Sequence, residues 1–453
     1  MPLWDGLNNI LSHGKGGKKS KFIVKSQNEA AENFKMLTAE FEPSIARVYL
    51  VTWNVHNQPP PTDLADLLGL DIDPSPDVYG IGLQEAFNQE WVPAISQPLF
   101  KKDYVRVKAR RLQGIVTVMF VRRALLPFVT SVESEITKTG LGGFWGNKGG
   151  VSLRMDFMGL NFIVVNCHLA AHQDQVAARL LDIDSILDSQ KFKDADTDNI
   201  LDHDYIFWMG DMNFRLEDTP YEHAVMEISK ENFPVLLAND QLNLVREEGL
   251  AFENFKEGPI TFAPTYKFDP STDVYDTSPK KRIPAYCDRV LYHFHDCAYG
   301  KTRLQSTLLD YRSHPSYKES DHKPVSAVFD INVMSKPISQ PVKFLSEGLV
   351  WSRQSPQKVT YHVRRNFQET IGDWIGLYKA DFTDFNSYIS YVWAPTSSDG
   401  VRGGGAGKDS RGINKQVKFA RSLLERAEEG MYVLCYLTFK NSLCGISLNF
   451  LVC

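Results

Sequence analysis

Short runs of alternating or continuous apolar residues, rich in β-branched and aromatic types, recur at 47–55, 78–85, 104–108, 115–122, 151–155, 161–169 and 205–211. Glycine or turn formers bound each run, which predicts strands. The period changes to that of a helix at Val176, Leu180, Ile183 and Leu187. Short helical patterns occupy about 220 to 246, prolines and aspartates mark a loop over 270–279, and apolar runs resume at 288–291 and 325–329. Beyond about 345 a new series of short runs, at 359–363, 374–379, 388–393, 416–419, 431–439 and 445–452, predicts a separate all-β sandwich.

The strand ends carry the chemistry. The run at 205–211 delivers Asp211 and, two residues on, Asn213, which alternation would place on one face. A carboxylate beside an amide suits a site that takes a proton from water and holds an oxyanion. The same pair is also a common turn former. Two earlier strands end in Asn54 and in Gln84-Glu85, oxygen donors of the kind a hard cation such as Mg²⁺ requires. The run at 161–169 brings His168, with His172 four residues on. A zinc pair is not indicated, because His168 lies on a strand end and no third ligand accompanies it. His168 fits better as a neutral donor to a phosphate oxygen or leaving group. Asp321-His322 precedes the run at 325–329, and either Asp288 or Asp321 could fix the histidine's tautomer. Lys267, Lys280 and Arg282 flank one loop; three cations converging on a pocket would select a multiply phosphorylated ligand. The glycine-rich stretch 139–150 carries Phe144, Trp145, Asn147 and Lys148. Its glycines let N–H groups approach a phosphate. Its aromatics read either as core anchors or as a tip that enters lipid.

Composition narrows the classes. At 43% hydrophobic and 23% charged residues the chain is of ordinary globular type, with length for more than one core. A net charge of -5 gives no general attraction to nucleic acid or anionic membrane. The basic, glycine-rich segment 14–21 is a local exception, within an N-terminal basic and helical extension over 1–44. Six cysteines without CxxC spacing suggest reduced thiols in a cytoplasmic protein. The N-terminus has no signal-like apolar stretch and no run approaches the roughly 18 apolar residues of a membrane span, so any membrane contact is expected to be peripheral. Cys453 is in the wrong place for prenylation.

Taken in order, Asn54, Gln84-Glu85, Asn166-Cys167-His168-Leu169, Phe207-Trp208-Met209-Gly210-Asp211-Met212-Asn213-Phe214-Arg215, Pro284-Ala285-Tyr286-Cys287-Asp288-Arg289-Val290-Leu291 and Ser320-Asp321-His322 resemble the inositol polyphosphate 5-phosphatases. The resemblance covers about 46 to 332. It implies the four-layered α/β sandwich of the DNase I and exonuclease III superfamily, with two packed mixed sheets. It also implies Mg²⁺-dependent removal of the 5-phosphate from phosphatidylinositol 4,5-bisphosphate and 3,4,5-trisphosphate by in-line attack of water. Glu85, Asn54 and Asp321 would then lie at the metal, Asp211 would position and deprotonate the water, and Asn213 would hold a phosphoryl oxygen. His322, oriented by Asp288, would stabilise the transition-state charge, and His168 would contact the phosphate or leaving group. Tyr266, Lys267, Lys280 and Arg282 match the grip on the 4-phosphate, Asn147 and Lys148 fall toward the 1-phosphate, and Phe144-Trp145 sits where the family touches lipid. Tyr286 stands where tryptophan is usual and Cys167 where serine is common, and neither donates a catalytic group.

The segments 372–379 and 391–395 resemble a SKICH domain, a targeting module, which implies traffic between endoplasmic reticulum and plasma membrane and protein partners for this part. The expected organisation is an extension over 1–44, a catalytic domain over 45–333, a linker over 334–344 and an immunoglobulin-like β-sandwich over 345–453. From 341 onward 14 Lys and Arg stand against 10 Asp and Glu, and 397–408 reads as a flexible insert. Two other readings exist. A nuclease or sphingomyelinase-like phosphodiesterase of the same superfold is disfavoured by cations suited to a second phosphate monoester. A non-enzymatic lipid-binding adaptor has no use for Glu85, Asp211 and His322 together.

Overall fold

A computed structural model of the chain describes residues 43–193, 197–334, 340–345, 350–365, 367–396 and 412–453. The extension over 1–42, the linker residues 335–339 and the insert at 397–411 lie outside the described residues. The first unit contains β1 (Pro43–Asn54), β2 (Val78–Gln84), β3 (Tyr104–Leu112), β4 (Ile115–Arg122), β5 (Val129–Thr139), β6 (Trp145–Phe157), β7 (Leu160–His168), β8 (Tyr205–Asp211), β9 (Lys256–Glu257), β10 (Asp288–Phe294), the small hairpin β11 (Ala298–Tyr299) and β12 (Thr302–Arg303), β13 (Ser306–Ser313) and β14 (Val325–Met334). They form two six-stranded mixed sheets, β13-β14-β1-β2-β4-β3 and β5-β6-β7-β8-β10-β9. In each sheet one pair is parallel, β1 with β2 and β7 with β8.

Alternation along the strands builds the layers. On β8, Tyr205, Phe207 and Met209 enter the core between the sheets, while Ile206 and Trp208 face the outer core shared with helix α2 (Val176–Ser189). On β1, Val48 and Leu50 face inward, and Tyr49, Val51 and Trp53 meet helix α1 (Trp91–Lys101) on the other side. Helix, sheet, sheet, helix is the expected four-layered α/β sandwich. The same parity continues past the last apolar residue of each strand. Asn54, Gln84, His168, Asp211 and Asp288 all extend inward-facing series, so the polar ends of five strands meet in one seam between the sheets.

Two strands had no clear signature in sequence. β5 carries Glu133, Ser134, Glu135 and Lys138 among its apolar positions, and β13 is an edge strand of alternating exposure. The glycine-rich stretch is not a long loop. β5 and β6 run to Thr139 and from Trp145, joined by one tight turn at Gly140–Gly143. Leu141, Phe144 and Trp145 stand exposed at its tip, Phe144 at 89% and Trp145 at 56%, so the core-anchor reading of the aromatics does not hold.

The second unit comprises β15 (Val342–Phe344), β16 (Val350–Trp351), β17 (Gln357–Arg364), β18 (Trp374–Lys379), β19 (Ser390–Trp393), β20 (Gly412–Phe419), β21 (Gly430–Leu437), β22 (Leu443–Ile446) and β23 (Phe450–Val452). One sheet is β15-β17-β20, the other β16-β23-β21-β18-β19 with β22 on β21. Its first strand begins at Val342, inside the stretch expected as linker. The larger sheet buries both faces. Ile375, Leu377, Leu434 and Tyr436 line the unit's own core, whereas Trp374, Tyr378, Val433, Cys435 and Leu437 join the core of the first unit. Arg123 donates to the carbonyls of Ala380 and Phe382 at 3.1 and 2.6 Å, and Arg106 donates to Asp384 Oδ2 at 2.5 Å. The second unit is therefore seated on the first through a shared apolar layer rimmed by hydrogen bonds.

Candidate active site

Asp211 ends β8, directly beside His168 in the parallel register with β7 and beside Asp288 in the antiparallel register with β10. This approach requires Gly210. Its φ is +145°, and a Cβ there would lie 2.0 Å from the carbonyl oxygen of Cys167. The alternation stops at Asp211. Asn213 has φ +56°, and its N–H donates to Asp211 Oδ1 at 3.1 Å. Asp211 thus serves both readings of the sequence: Oδ1 caps a turn, and Oδ2 belongs to the site.

That second oxygen is crowded by donors. Asn54 Nδ2 donates to it at 2.9 Å, His168 Nε2 is 3.2 Å away and His322 Nε2 is 4.0 Å away. Burial alone would raise the carboxyl's pKa, but the charges of His322 and His168 and the hydrogen bond from His168 outweigh it and hold Asp211 well below the usual carboxylate range. His322 Nδ1 lies 2.9 Å from Asp288 Oδ2, which also accepts from Thr265 Oγ1 at 2.6 Å. Of the two candidate orienting carboxylates, Asp288 is the one in place. Burial disfavours the His322 imidazolium, yet Asp288 and Asp211 prevail and lift its pKa to about 9. Complete burial meanwhile raises Asp288, against the opposing pull of the His322 charge and hydrogen bond.

Asp321 is turned away from this triad. Its Oδ2 pairs with Lys267 Nζ, and its Oδ1 is 3.4 Å from His56 Nδ1. Glu85, at φ +53° just past β2, places Oε2 3.5 Å from the same His56 nitrogen and Oε1 3.4 Å from Asn54 Nδ2. Burial opposes ionisation of Glu85, but the His56 hydrogen bond and the charges of His168 and His322 bring its pKa down to about 2. Two carboxylates and an amide gathered beside the His56 ring are the oxygen-rich donor set of a hard metal ion. Asp211, Asp288 and His322 form a second group whose ligand-type atoms lie within 4.8 Å of one another. Asp288 Oδ2 is already engaged by His322 and Thr265, so this group is better suited to orienting the imidazole.

The expected substrate residues divide. The Tyr266 ring lies 4.5 Å from the His322 ring, and Lys267 reaches inward to Asp321 instead of standing free at the rim. Lys280 is exposed, and half-exposed Arg282 holds Asp276 at 3.6 Å. Lys148, expected on a loop, lies on β6 and its Nζ contacts His168 Nε2; burial lowers its pKa. Asn147 is also on β6, exposed, with its side chain turned toward Gly140. Sequence reasoning passed over several supports. His56 sits between the two carboxylates, Thr265 holds Asp288, Ser320 Oγ donates to the Asn54 carbonyl at 2.6 Å and accepts from His322 N–H, and Arg215 bonds Asn213. Ser320 had a legible signal, a hydroxyl two residues before a histidine in a turn. His56 had none.

Comparison with known proteins places these features in context. Residues 51–328 match the model of endonuclease/exonuclease/phosphatase family 2, and 342–452 match the SKICH domain. Human phosphatidylinositol 4,5-bisphosphate 5-phosphatase A is 36% identical over 419 residues, 88% of this chain and 40% of that protein. The chain spans about two fifths of the length of the first curated relatives it matches. Mouse inositol polyphosphate 5-phosphatase K is 35% identical over 426 residues, 89% of either chain. Among solved structures, the inositol polyphosphate 5-phosphatase domain of a synaptojanin, in complex with inositol (1,4)-bisphosphate and calcium ion, superposes with a TM-score of 0.60 at 31% identity. It covers 68% of this chain and 90% of its own.

Proposed function

Because the chain belongs to the inositol polyphosphate 5-phosphatases, within the endonuclease/exonuclease/phosphatase family and with a SKICH domain, we propose that it is a Mg²⁺-dependent hydrolase acting on phosphoinositides. Its substrates on this reading are the 5-phosphates of phosphatidylinositol 4,5-bisphosphate and 3,4,5-trisphosphate, with soluble inositol polyphosphates as further candidates. The observation that carries the reading is the meeting of Asn54, His168, Asp211 and His322 around one buried carboxylate oxygen.

A phosphate monoester dianion repels an incoming nucleophile, so the site must supply positive charge and orientation more than basicity. Asp211, held ionised, accepts a hydrogen bond from water and aims its lone pair at the 5-phosphorus. His322, kept cationic by Asp288, and the Asn213 amide face the phosphoryl oxygens. Lys148 and His168 border the leaving group. Glu85, Asn54 and Asp321 would hold Mg²⁺, beside the His56 ring and the Lys267 amine. When bound, the ion neutralises charge on the phosphoryl group. Tyr266, Lys280 and Arg282 bound the side from which a 4-phosphate would approach, and Phe144 and Trp145 are free to enter a bilayer.

Among the described residues no helix is long and apolar enough to cross a membrane. Peripheral association with endoplasmic reticulum and plasma membrane, with protein partners on the SKICH domain, completes the proposal. Phosphate release from both lipids in vesicles, with plasmid DNA and sphingomyelin as controls, tests it. Mg²⁺-dependent release is expected, abolished by Asp211→Ala and by chelation. Full turnover in Asp211→Ala, or hydrolysis of the controls alone, would overturn it.

A further inference from the structure

Arg215, the partner of Asn213, is buried to 7% exposure beside the proposed reacting groups. Nη2 donates to Asn213 Oδ1 at 2.6 Å and Nε donates to the Asn213 carbonyl at 3.2 Å. Arg215 Cζ also lies over the Tyr266 ring, 4.1 Å from the centroid, and that ring in turn lies against the His322 ring. The backbone is pinned as well: Arg215 N–H donates to Gln241 Oε1 at 2.9 Å, and its carbonyl accepts from Gln241 N–H at 2.8 Å.

We propose that Arg215 is a positioning residue that fixes which end of the Asn213 amide meets the phosphoryl group. A guanidinium can only donate, so its partner on Asn213 must be the carbonyl oxygen. The NH₂ end is then forced to the opposite side, where Nδ2 donates to the Leu169 carbonyl at 3.0 Å and keeps its second hydrogen for an oxyanion. A flipped amide would set C=O against phosphate and NH₂ against guanidinium, two repulsive contacts in a buried site. Stacking on Tyr266 ties the same cation to the wall of the substrate pocket, so amide orientation and phosphate grip share one support.

This inference rests on the phosphatase reading but can fail separately from it. Arg215→Met keeps much of the side chain's bulk and removes the donors; it is expected to lower kcat on a soluble inositol polyphosphate by about 10- to 100-fold, with KM changed less than about 3-fold. Arg215→Lys, which keeps charge and one donor, should recover part of that loss and guards against misfolding of the Met variant. In an Asn213→Ala background, Arg215→Met should add less than about 2-fold, since the group it orients is gone. A second readout needs no turnover. In protein labelled with ¹⁵N-asparagine, the Asn213 NH₂ pair, identified by its absence in Asn213→Ala, should shift and exchange faster in both Arg215 variants. Undiminished loss in the Asn213→Ala background, or an unchanged NH₂ signal in both variants, would overturn the proposal. A wild-type protein that releases no phosphate would instead overturn the phosphatase reading, leaving the NH₂ signal to decide on Arg215.

Discussion

The floor of the site and its rim are built on opposite principles. On the floor Asn54, His168, Asp211, Asp288 and His322 are all buried, and their polar atoms bond chiefly to one another. At the rim Lys280, Phe144 and Trp145 are exposed, and the half-exposed Arg282 guanidinium lies 3.6 Å from Asp276. Charges on the floor act in a low dielectric and lose little to reorganisation, while those at the rim are screened and mobile. The difference assigns rate to the floor and selection of substrate and surface to the rim. Mutations should obey that division.

The largest effect belongs to Asp211. Asp211→Asn keeps the shape but removes the acceptor charge facing His168 and His322, and should cut kcat by about 10³-fold or more with little change in KM. Asp288→Asn follows. It leaves the His322 imidazole without its carboxylate and lets the ring lose its charge, so a fall in kcat of about 10²-fold or more is expected. A change in KM alone, measured on soluble head groups for either variant, would place these residues with the rim and dissolve the comparison. Third comes the rim pair. Lys280→Ala with Arg282→Ala should raise KM for a 4,5-bisphosphate about tenfold and hold kcat within about 3-fold, since each solvent-screened contact contributes ~0.2–1 kcal/mol. The same double variant should barely affect a substrate lacking the 4-phosphate; an equal loss there would mean the cations do not read that group.

The floor was legible in sequence for a geometric reason. The apolar runs named Asn54, His168 and Asp211 as strand ends, and the inward-facing parity of β1, β7 and β8 runs on through those same residues. The pairing of Asp211 with Asn213 on one face by alternation failed, because a positive φ at Asn213 ends the strand. The rim resisted for the converse reason. Whether Phe144 and Trp145 were core or tip depended on where β5 and β6 pair, and β5, carrying charges along its length, has no strand signature of its own. Lys267 shows a further limit. Its spacing suggested a free phosphate ligand, whereas the fold turns it onto Asp321, a residue 54 positions away. The seat of the second unit was equally hidden, because Trp374, Tyr378 and Val433 look like ordinary sandwich residues until their outward parity meets the first unit.

The smallest effect offers the sharpest separation, because it should depend on how the substrate is presented. Phe144 and Trp145 are exposed, so Phe144→Ser with Trp145→Ser removes little folded-state packing. Thermal stability should therefore stay within a few degrees of wild type, as for other surface substitutions. Turnover of a soluble head group should not change. On vesicles partial entry of the two rings into the acyl boundary would contribute about 1 kcal/mol together, so their loss should weaken vesicle binding and apparent kcat/KM by about fivefold. The effect should shrink when the same lipid is dispersed in detergent, where docking to a continuous surface no longer limits encounter. Equal loss on vesicles and head groups would make the tip part of the floor's machinery, and the division between rate and surface would have to be redrawn at the β5–β6 hairpin.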